Sequence, residues 1–334
     1  MNSLESHSQF LTLSDYPITG EKEDGCTPGY KSVRDGKTYQ IKTFRGAGPV
    51  ITIKDLVKEY FGIKFGELMA PGRKCFPKTT VVRDADSWAI CSKWIDNTEP
   101  LVMHKLKGNE KLKKISRVNI SKESSRLIIN SGTLFFVKKG SELAFPLKHG
   151  RSYDSTIPPG LKLFKTPNEL FYRGLPIENL TRIFTIIKIL NMVDIKPDHI
   201  LVKKKGDHYR ATLIDTFASL KNRLTCADLM HPFVYDDDTL LTLPYLVESE
   251  VWETVDAFLT ISQEKVFEVL SAVPNLLTEE EVNELAQSIF STQKNLSTIQ
   301  RSRPPLSKKD FLKFIPAECN TQALPQEVIN FLKK

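Results

Sequence analysis

The segment at 194–217, DIKPDHILVKKKGDHYRATLIDTF, constrains the fold more than any other stretch of the chain. It contains two apolar strands, HILVK and YRATLI, with the turn residues Gly206-Asp207 between them, which is the pattern of a β-hairpin. A hairpin brings the residue before its first strand close to the residue after its second. We therefore expect Asp194 and Asp215 to lie near each other. Two adjacent carboxylates are costly unless a metal ion or another cation lies between them, so this pair is a candidate functional site.

Size and composition indicate a globular protein. With 334 residues, of which 40% are hydrophobic, the chain can build one large core or two smaller ones. The sequence does not open with a basic segment followed by an apolar run, and nowhere do about eighteen uncharged apolar residues follow one another. The five cysteines are scattered without a CxxC pair, which is typical of buried, reduced thiols. These features predict a cytoplasmic protein without a transmembrane segment.

Charge is distributed unevenly along the chain, whose net charge is +7. Residues 227–290 contain fourteen Asp and Glu against one Lys, so positive charge is concentrated in residues 1–226 and in the C-terminal tail. A positive field of this kind attracts phosphate-rich partners, whereas any single lysine is more often just a solvated surface residue. Nucleic acid is not expected, because aromatic residues do not alternate with the basic ones.

One basic group is a candidate for binding a polyanion, and a second basic group decorates the predicted hairpin. The first follows the predicted linker between two lobes and comprises Lys105, Lys107, Lys111, Lys113, Lys114 and Arg117. The second lies on the predicted hairpin and comprises Lys203, Lys204, Lys205, His208 and Arg210. An inositol polyphosphate or a phosphoinositide headgroup would suit this density of charge.

The predicted elements follow one another in an order that suggests two lobes. Two strands joined at Asp35-Gly36 precede a helix over IKDLVKEYFGIKFGELM, in which Gly62 and Gly66 are unfavourable, and two further strands follow. A second helix is expected from Pro176 onward, and an acidic helical region follows Asp215. The boundaries we assign are 1–24 for a flexible leader, 25–98 for an N-lobe, 99–290 for a C-lobe and 291–334 for a basic tail.

Several of these segments resemble protein-kinase motifs, in the order in which kinases have them. VDIKPDHIL resembles the catalytic loop, LIDTF resembles the start of the metal-binding motif, and TYQIK resembles the strand whose lysine grips the nucleotide. The match is strongest to atypical kinases: the HipA toxin kinases, the phosphoinositide-kinase-like enzymes and the effector kinases that Legionella-type pathogens inject into host cells. The resemblance covers roughly residues 25–260. It implies an α+β, two-lobed kinase-like fold with a small β-rich N-lobe, a larger helical C-lobe and a C-terminal helical tail.

The resemblance also implies roles for individual residues, with ATP and Mg²⁺ or Mn²⁺ as cofactors. Asp194 matches the catalytic aspartate, and Lys196 matches the lysine that neutralises the moving phosphoryl group. Asp215 and His199 occupy the metal-binding positions. The nucleotide would be held by Lys42, its helix partner Glu59 (with Glu67 as the alternative), the glycines Gly25 and Gly29, and the linker residues Trp94 and Ile95.

Some residues depart from the kinase pattern. His199 stands where kinases usually have a metal-binding Asn, and imidazole is a poor ligand for Mg²⁺ but an acceptable one for Mn²⁺. This predicts a one-metal site or a preference for Mn²⁺. Val193 replaces the usual Arg before the catalytic aspartate, and the glycine-rich loop is reduced to two glycines. An enzyme with these departures could require a second, phosphate-rich ligand to become ordered.

Three functions are compatible with these features. The first is an atypical ATP-dependent protein kinase that phosphorylates Ser or Thr hydroxyls on a host protein or on itself. Such a kinase would be a bacterial virulence effector that type IV secretion delivers. The second is a phosphoinositide or inositol kinase. The third is a pseudokinase whose basic surface binds phosphoinositides or a host protein. The basic tail, with Phe311, Phe314 and Phe331 among lysines, is a candidate contact for an anionic membrane surface.

Overall fold

A computed structural model provides the structure of the protein. The residues that it describes are 11–21, 29–43, 53–84, 87–101, 118–119, 126–130, 133–137, 144–146, 171–172, 175–193, 195, 199–220, 224–230, 233–236, 239–242 and 246–302.

The described chain forms strands mainly in its first two thirds and helices mainly in its last third. The helices are α1 (Ile53–Met69), α2 (Leu180–Ile189), α3 (Cys226–Met230), α4 (Glu248–Leu259), α5 (Gln263–Leu270) and α6 (Glu279–Ser302). The first strands are β1 (Ile18–Glu21), β2 (Gly29–Arg34), β3 (Lys37–Lys42), β4 (Thr79–Asp84), β5 (Ser87–Lys93) and β6 (Glu99–Pro100). The next are β7 (Val118–Asn119), β8 (Arg126–Asn130), β9 (Thr133–Val137), β10 (Ala144–Pro146), β11 (Phe171–Tyr172) and β12 (Leu175–Glu178). The last are β13 (Met192–Val193), β14 (Ile200–Lys205), β15 (His208–Leu213), β16 (Phe217–Ala218), β17 (Phe233–Asp236) and β18 (Thr239–Thr242).

The first five strands form one antiparallel sheet in the order β1-β2-β3-β5-β4. The predicted order of two strands, one helix and two strands is confirmed for β2, β3, α1, β4 and β5. Strand β1 was not predicted: it pairs with β2, so the sheet includes residues that the sequence pattern assigns to the leader. A small core of Tyr16, Ile41, Val82, Ala89 and Cys91 packs on this sheet.

A second sheet has the order β6-β14-β15-β12-β11-β7. Its centre is the predicted hairpin, in which Ile200 pairs with Leu213 and Lys205 pairs with His208. Strand β6 joins the hairpin immediately after the linker that leaves the first sheet, and Leu101 N–H donates to the Ile200 carbonyl at 2.6 Å. The linker therefore leads directly from β5 of the first sheet into an edge strand of the second sheet.

The helix expected from Pro176 begins later than predicted. Pro176 lies in strand β12, which runs parallel to β15, and α2 begins at Leu180 after the cap residue Asn179. Asn179 has a φ of 75°, a conformation that Asn tolerates better than most residues. Its buried amide donates to the Arg73 carbonyl at 2.8 Å and to the Ala211 carbonyl at 3.3 Å. These bonds fix the start of α2, which explains why the helix does not extend back to the proline.

The largest core joins α1, α2, α4 and α6 to the inner face of the hairpin. Helix α1 has the bounds that its sequence pattern predicts, and its residues Val57, Phe61 and Phe65 are buried in this core. Helix α6 continues to Ser302, with Leu296 and Ile299 buried. The helix therefore continues across position 291, where we place the boundary between the C-lobe and the tail. None of the helices within the described ranges is long and apolar enough to cross a membrane.

The glycines of α1 are explained by close packing. A Cβ at Gly66 would lie 2.3 Å from two ring carbons of Phe76, and one at Gly62 would lie 3.0 Å from Thr216 Oγ1 and 3.3 Å from the Ala218 Cβ. Glycine at these positions costs helix propensity but lets the neighbouring chain approach.

Gly66→Ala should therefore destabilise the protein. Helix propensity alone would raise the free energy of unfolding by about 1 kcal/mol. Overpacking against the buried Phe76 ring should instead lower it by about 1–3 kcal/mol. Urea unfolding measures the difference. As a control, Phe76→Leu in the Gly66→Ala background removes the clashing ring and should recover part of the loss. A Gly66→Ala protein more stable than wild type would contradict the packing shown here.

Candidate active site

Lys42 is the central cation of the candidate site. It ends β3, opposite Gly29 on β2 and Ile90 on β5, and it is only 5% exposed. A Cβ at Gly29 would lie 2.1 Å from the Ile41 carbonyl oxygen. Gly29 therefore lets β2 approach the backbone next to Lys42. This is a structural requirement for glycine that holds whether or not the residue also contacts a nucleotide.

Two carboxylates from distant parts of the chain contact Lys42. Its Nζ donates to Glu59 Oε1 on α1 at 2.6 Å and to Asp215 Oδ1 after β15. Glu67, the alternative partner, pairs instead with Lys64 at 3.0 Å. Glu59 is buried, whereas the Asp215 side chain is 39% exposed, so one side of this charged group is open to solvent.

The charge of Lys42 is maintained by these two partners. Burial alone would lower the pKa of the Lys42 ammonium, because it penalises the charged form. The attraction of Glu59 and then of Asp215, together with their hydrogen bonds, outweighs burial and raises the pKa above its ordinary value. Lys42 is therefore charged at neutral pH and held in place by its partners, and such an ammonium group suits the binding of phosphate oxygens.

Asp215 has an unusual backbone conformation. Its φ is 52°, in the left-handed region that Asp enters more readily than most residues and that often occurs at functional sites. The next residue, Thr216, is fully buried and donates from Oγ1 to the Glu59 carbonyl at 3.0 Å. Thr216 was not identified from the sequence. Together with the close approach that Gly62 allows, this bond fixes Asp215 relative to Glu59.

His199 lies beside Asp215, as the hairpin requires. The Ile214 N–H donates to the His199 carbonyl at 2.8 Å, and His199 Nε2 is 3.9 Å from Asp215 Oδ2. Carboxylate Oδ2 thus faces the imidazole, whereas Oδ1 faces Lys42. Among the residues that the structure describes, no cluster of three or more His, Cys, Asp or Glu could hold a metal ion. Of the two side chains, the Asp215 carboxylate is a ligand type that Mg²⁺ prefers, whereas the His199 imidazole suits Mn²⁺ better.

Asp194 and Lys196 lie outside the described residues, but the chain on either side of Asp194 is described. Val193 pairs with Phe217 in the short β13-β16 ladder, and Ile195 is buried in the large core. The chain before Asp194 is therefore adjacent to the segment that follows Asp215. Gly25 and the basic run Lys105, Lys107, Lys111, Lys113, Lys114 and Arg117 also lie outside the described residues.

The linker residues Trp94 and Ile95 line a cleft of about 670 Å³. The cleft also contacts residues 74–78, which follow α1, and the hairpin β14-β15, but Lys42 does not line it. Trp94 is 38% exposed, and Lys31 Nζ lies 4.7 Å from the centre of its ring. The two linker residues thus line a cleft to which Lys42 does not contribute, and the sequence pattern did not reveal this cleft.

The buried thiols of Cys75 and Cys91 are not nucleophiles at neutral pH. Burial raises the pKa of Cys75 to about 12 and the pKa of Cys91 to about 11. Both thiols stay protonated, so the stability that they contribute is present below the unfolded thiol pKa of about 8.5 and is lost as the pH rises towards the folded values.

In the folded protein at about pH 8, near the ordinary thiol pKa, iodoacetamide should modify the half-buried Cys226 and leave Cys75 and Cys91 unmodified. Peptide mass spectrometry measures the modification at each site, and the urea-unfolded protein serves as the control in which all three react. Equal modification of Cys75 and Cys226 in the folded protein would contradict the burial described here.

Comparisons with known proteins give weak similarities. No protein-family model matches the chain, and no curated protein matches it. Among solved structures, the proinflammatory kinase CtkA of Helicobacter pylori has a TM-score of 0.44 and 10% identity, over 86% of this chain and 96% of that chain. HipA of Shewanella oneidensis MR-1, in a toxin–antitoxin complex with HipB and operator DNA, has a TM-score of 0.26 and 10% identity, over 97% of this chain and 69% of that chain.

The site is therefore interpreted from its own geometry. The chain has a mixed α+β architecture, with a five-stranded antiparallel sheet and several helices. A buried lysine from the sheet meets a glutamate from the following helix and an aspartate at the end of a hairpin. This architecture is compatible with a kinase-like fold.

Proposed function

We propose that the protein is an atypical ATP-dependent kinase that transfers the γ-phosphoryl group to a Ser or Thr hydroxyl of a protein, itself included. The observation that carries the proposal is the burial of Lys42, from β3, between Glu59 of α1 and Asp215, which follows β15. Burial of the Lys42 and Glu59 charges is energetically costly, and buried charge groups of this kind often mark sites that position a ligand. Phosphoryl transfer depends mainly on positioning and on charge stabilisation, which is what a fixed ammonium and a nearby carboxylate supply.

In this proposal each residue has a distinct task. Lys42 binds phosphate oxygens of ATP, and Glu59 holds its ammonium in place. Asp215 Oδ2 and His199 Nε2 would hold the divalent ion, which supplies neutralisation of phosphate charge when bound. Asp194 accepts the proton of the acceptor hydroxyl, and Lys196 contacts the transferred group; these two roles are carried over from the resemblance of VDIKPDHIL to a catalytic loop.

The proposal is tested by transfer of labelled γ-phosphate from ATP to the protein itself and to a generic acceptor protein, with Mg²⁺ or Mn²⁺. Wild type should incorporate label and Asp215→Ala should not. Asp207→Ala is the matched control, because Asp207 lies in the hairpin turn, exposed and away from Lys42. If wild type transfers no phosphate with either metal while it still binds ATP or phosphoinositides, the protein is a binding module and the catalytic proposal is wrong.

The metal preference should depend on His199. Because imidazole suits Mn²⁺ better than Mg²⁺, wild type should be more active with Mn²⁺. His199→Asn supplies an amide oxygen and should shift the ratio of the two activities towards Mg²⁺ by about tenfold or more, the change typical of an altered metal environment. Initial rates over a range of metal concentrations measure this ratio. An unchanged ratio in His199→Asn would exclude His199 as a metal ligand.

Other parts of the proposal concern segments outside the described residues. The basic run that begins at Lys105 is proposed to contact a polyanion such as an inositol polyphosphate. The basic tail is proposed to contact an anionic, phosphoinositide-containing membrane surface. Delivery into a host cell as an effector follows only from the resemblance of the sequence segments. Liposome sedimentation of the full chain and of a chain ending at residue 302 would test the tail.

A further inference from the structure

The cleft behind the linker has a strongly positive lining. Two of its lining residues, Glu67 and Asp96, are acidic. Its cationic lining residues are Lys74, Lys78, Lys93, Lys203, Lys205 and Arg210. They come from three places: the segment after α1, the end of β5 and the hairpin β14-β15. The fold therefore collects charges that are far apart in the sequence into one concave surface, where low-dielectric walls strengthen their combined field.

Most of these cations are not neutralised by neighbouring carboxylates. Over the described part of the chain, Lys74, Lys78, Lys93 and Lys205 have no ion-pair partner. Arg210 pairs with Glu178 at 3.2 Å, and Lys203 donates to the Asp96 carbonyl. Of the acidic lining residues, Glu67 already pairs with Lys64. Four like charges around one cleft repel one another, so their proximity costs energy that a bound anion would recover.

The walls of the cleft are fixed by hydrogen bonds. Leu213 N–H donates to the Cys75 carbonyl at 2.8 Å, which joins the hairpin to the segment after α1. Lys93 N–H donates to the Lys78 carbonyl at 2.8 Å, which joins that segment to β5. The Lys203 ammonium reaches the linker at Asp96. Because these contacts fix the backbone of the walls, binding an anion would have to order the lysine side chains but not the chain that carries them.

We infer that this cleft binds a small molecule with several phosphate groups. Its volume of about 670 Å³ lies within the range of about 300–1,000 Å³ that is usual for small-molecule sites. A compact polyphosphate can contact ammonium groups from all three walls at once, whereas a single phosphate cannot. The site is separate from the Lys42 group, which does not line the cleft, and from the basic run that begins at Lys105, which lies outside the described residues.

Binding would also affect the linker. The cleft is bounded on one side by β5 of the first sheet and on another by the hairpin of the second sheet, with Trp94 and Ile95 between them. An anion held by both sides would restrict their relative motion. If the proposed kinase activity holds, occupancy of the cleft would stabilise one arrangement of Lys42 and Asp215 and so regulate catalysis. This consequence rests on the proposed function, whereas the binding itself does not.

Titration calorimetry of the full chain with inositol hexakisphosphate, at about 0.15 M salt, tests the inference. Tripolyphosphate and inorganic phosphate are separate arms, and liposomes with phosphatidylinositol 4,5-bisphosphate distinguish a lipid headgroup from a free ligand. The cleft variant is Lys78→Glu with Lys205→Glu. The matched control is Lys37→Glu with Lys204→Glu, which changes the net charge equally. Lys204 is the neighbour of Lys205 on the same strand but does not line the cleft.

Wild type should bind the hexakisphosphate, bind inorganic phosphate far more weakly, and lose affinity as salt increases. The cleft variant should bind at least tenfold more weakly, since it loses two charged contacts and adds two repulsive ones, and the control should change less than threefold. Lys42→Met should leave binding unchanged, which separates this site from the proposed active site.

Three outcomes would overturn the inference: no binding of a polyphosphate by wild type, equal weakening in both double variants, or loss of binding in a Lys42→Met protein that is folded. If charge reversal unfolds the cleft variant, the neutral pair Lys78→Gln and Lys205→Gln replaces it, with Lys37→Gln and Lys204→Gln as its control, and the same order of affinities is expected.

Discussion

Replacement of Lys42 by Met should reduce phosphoryl transfer by about 10²–10³-fold or more, the loss expected when a preorganised charge is removed from a transition state. Met has a similar length but no charge, so the change removes the ammonium that Glu59 and Asp215 hold in place. Lys42→Arg should be little more active than Lys42→Met, because the planar guanidinium does not fit a site that holds a compact ammonium group. Transfer of labelled γ-phosphate, corrected for the folded fraction, measures the effect.

Lys37→Met is the matched control for this experiment. Lys37 begins the same strand β3 but is exposed, so its replacement should change the rate less than twofold. A Lys42→Met protein that is folded and retains wild-type activity would show that the buried ion group is structural, and the proposed function would lose the observation that carries it.

Lys42→Met should also lower the free energy of unfolding by about 3–5 kcal/mol, the usual cost of leaving a buried charge without its partner. The loss comes mainly from Glu59, which is buried, and less from Asp215, whose exposed side is screened by water. Glu59→Gln should lower the free energy of unfolding by a smaller amount, because Lys42 keeps Asp215 as an ion-pair partner. The double variant Lys42→Met with Glu59→Gln should be more stable than Lys42→Met alone, because the uncompensated carboxylate is gone.

Urea unfolding of the four proteins gives the coupling energy of the pair. The surface pair Lys64 and Glu67 on the same helix is the control, and its coupling energy should stay below about 1 kcal/mol. A coupling energy for Lys42 and Glu59 equal to that of the surface pair would mean that the buried group contributes no special stability.

The raised pKa of Lys42 makes this contribution to stability depend on pH. Its stabilisation is present below the ordinary lysine pKa of about 10.4 and is lost as the pH rises through the folded value. The difference between wild type and Lys42→Met should therefore stay constant from neutral pH to about pH 10.

Local patterns predicted the elements that carry the site. The alternation in TYQIK, the helical spacing in IKDLVKEYFGIKFGELM and the turn at Gly206-Asp207 predicted β3, α1 and the hairpin correctly. Each of these patterns lies within a few residues of sequence, where side-chain periodicity and turn preference decide the backbone. The start of α2 was predicted too early because Pro176 suits a first helical turn equally well, and only the bonds of Asn179 to Arg73 and Ala211 select the later start.

The sequence by itself determined the order of β2, β3, α1, β4 and β5, the excess of positive charge and two of the three charged residues that meet, Lys42 and Asp215. Tertiary structure decided which glutamate pairs with Lys42, since Glu59 and Glu67 lie on the same helix and only the packing of α1 against Thr216 distinguishes them. It also decided that Lys78, Lys93 and Lys205 share one cleft, because their separation in sequence carries no information about their separation in space. Contacts between distant segments depend on how whole elements pack, and that packing is a property of the complete fold.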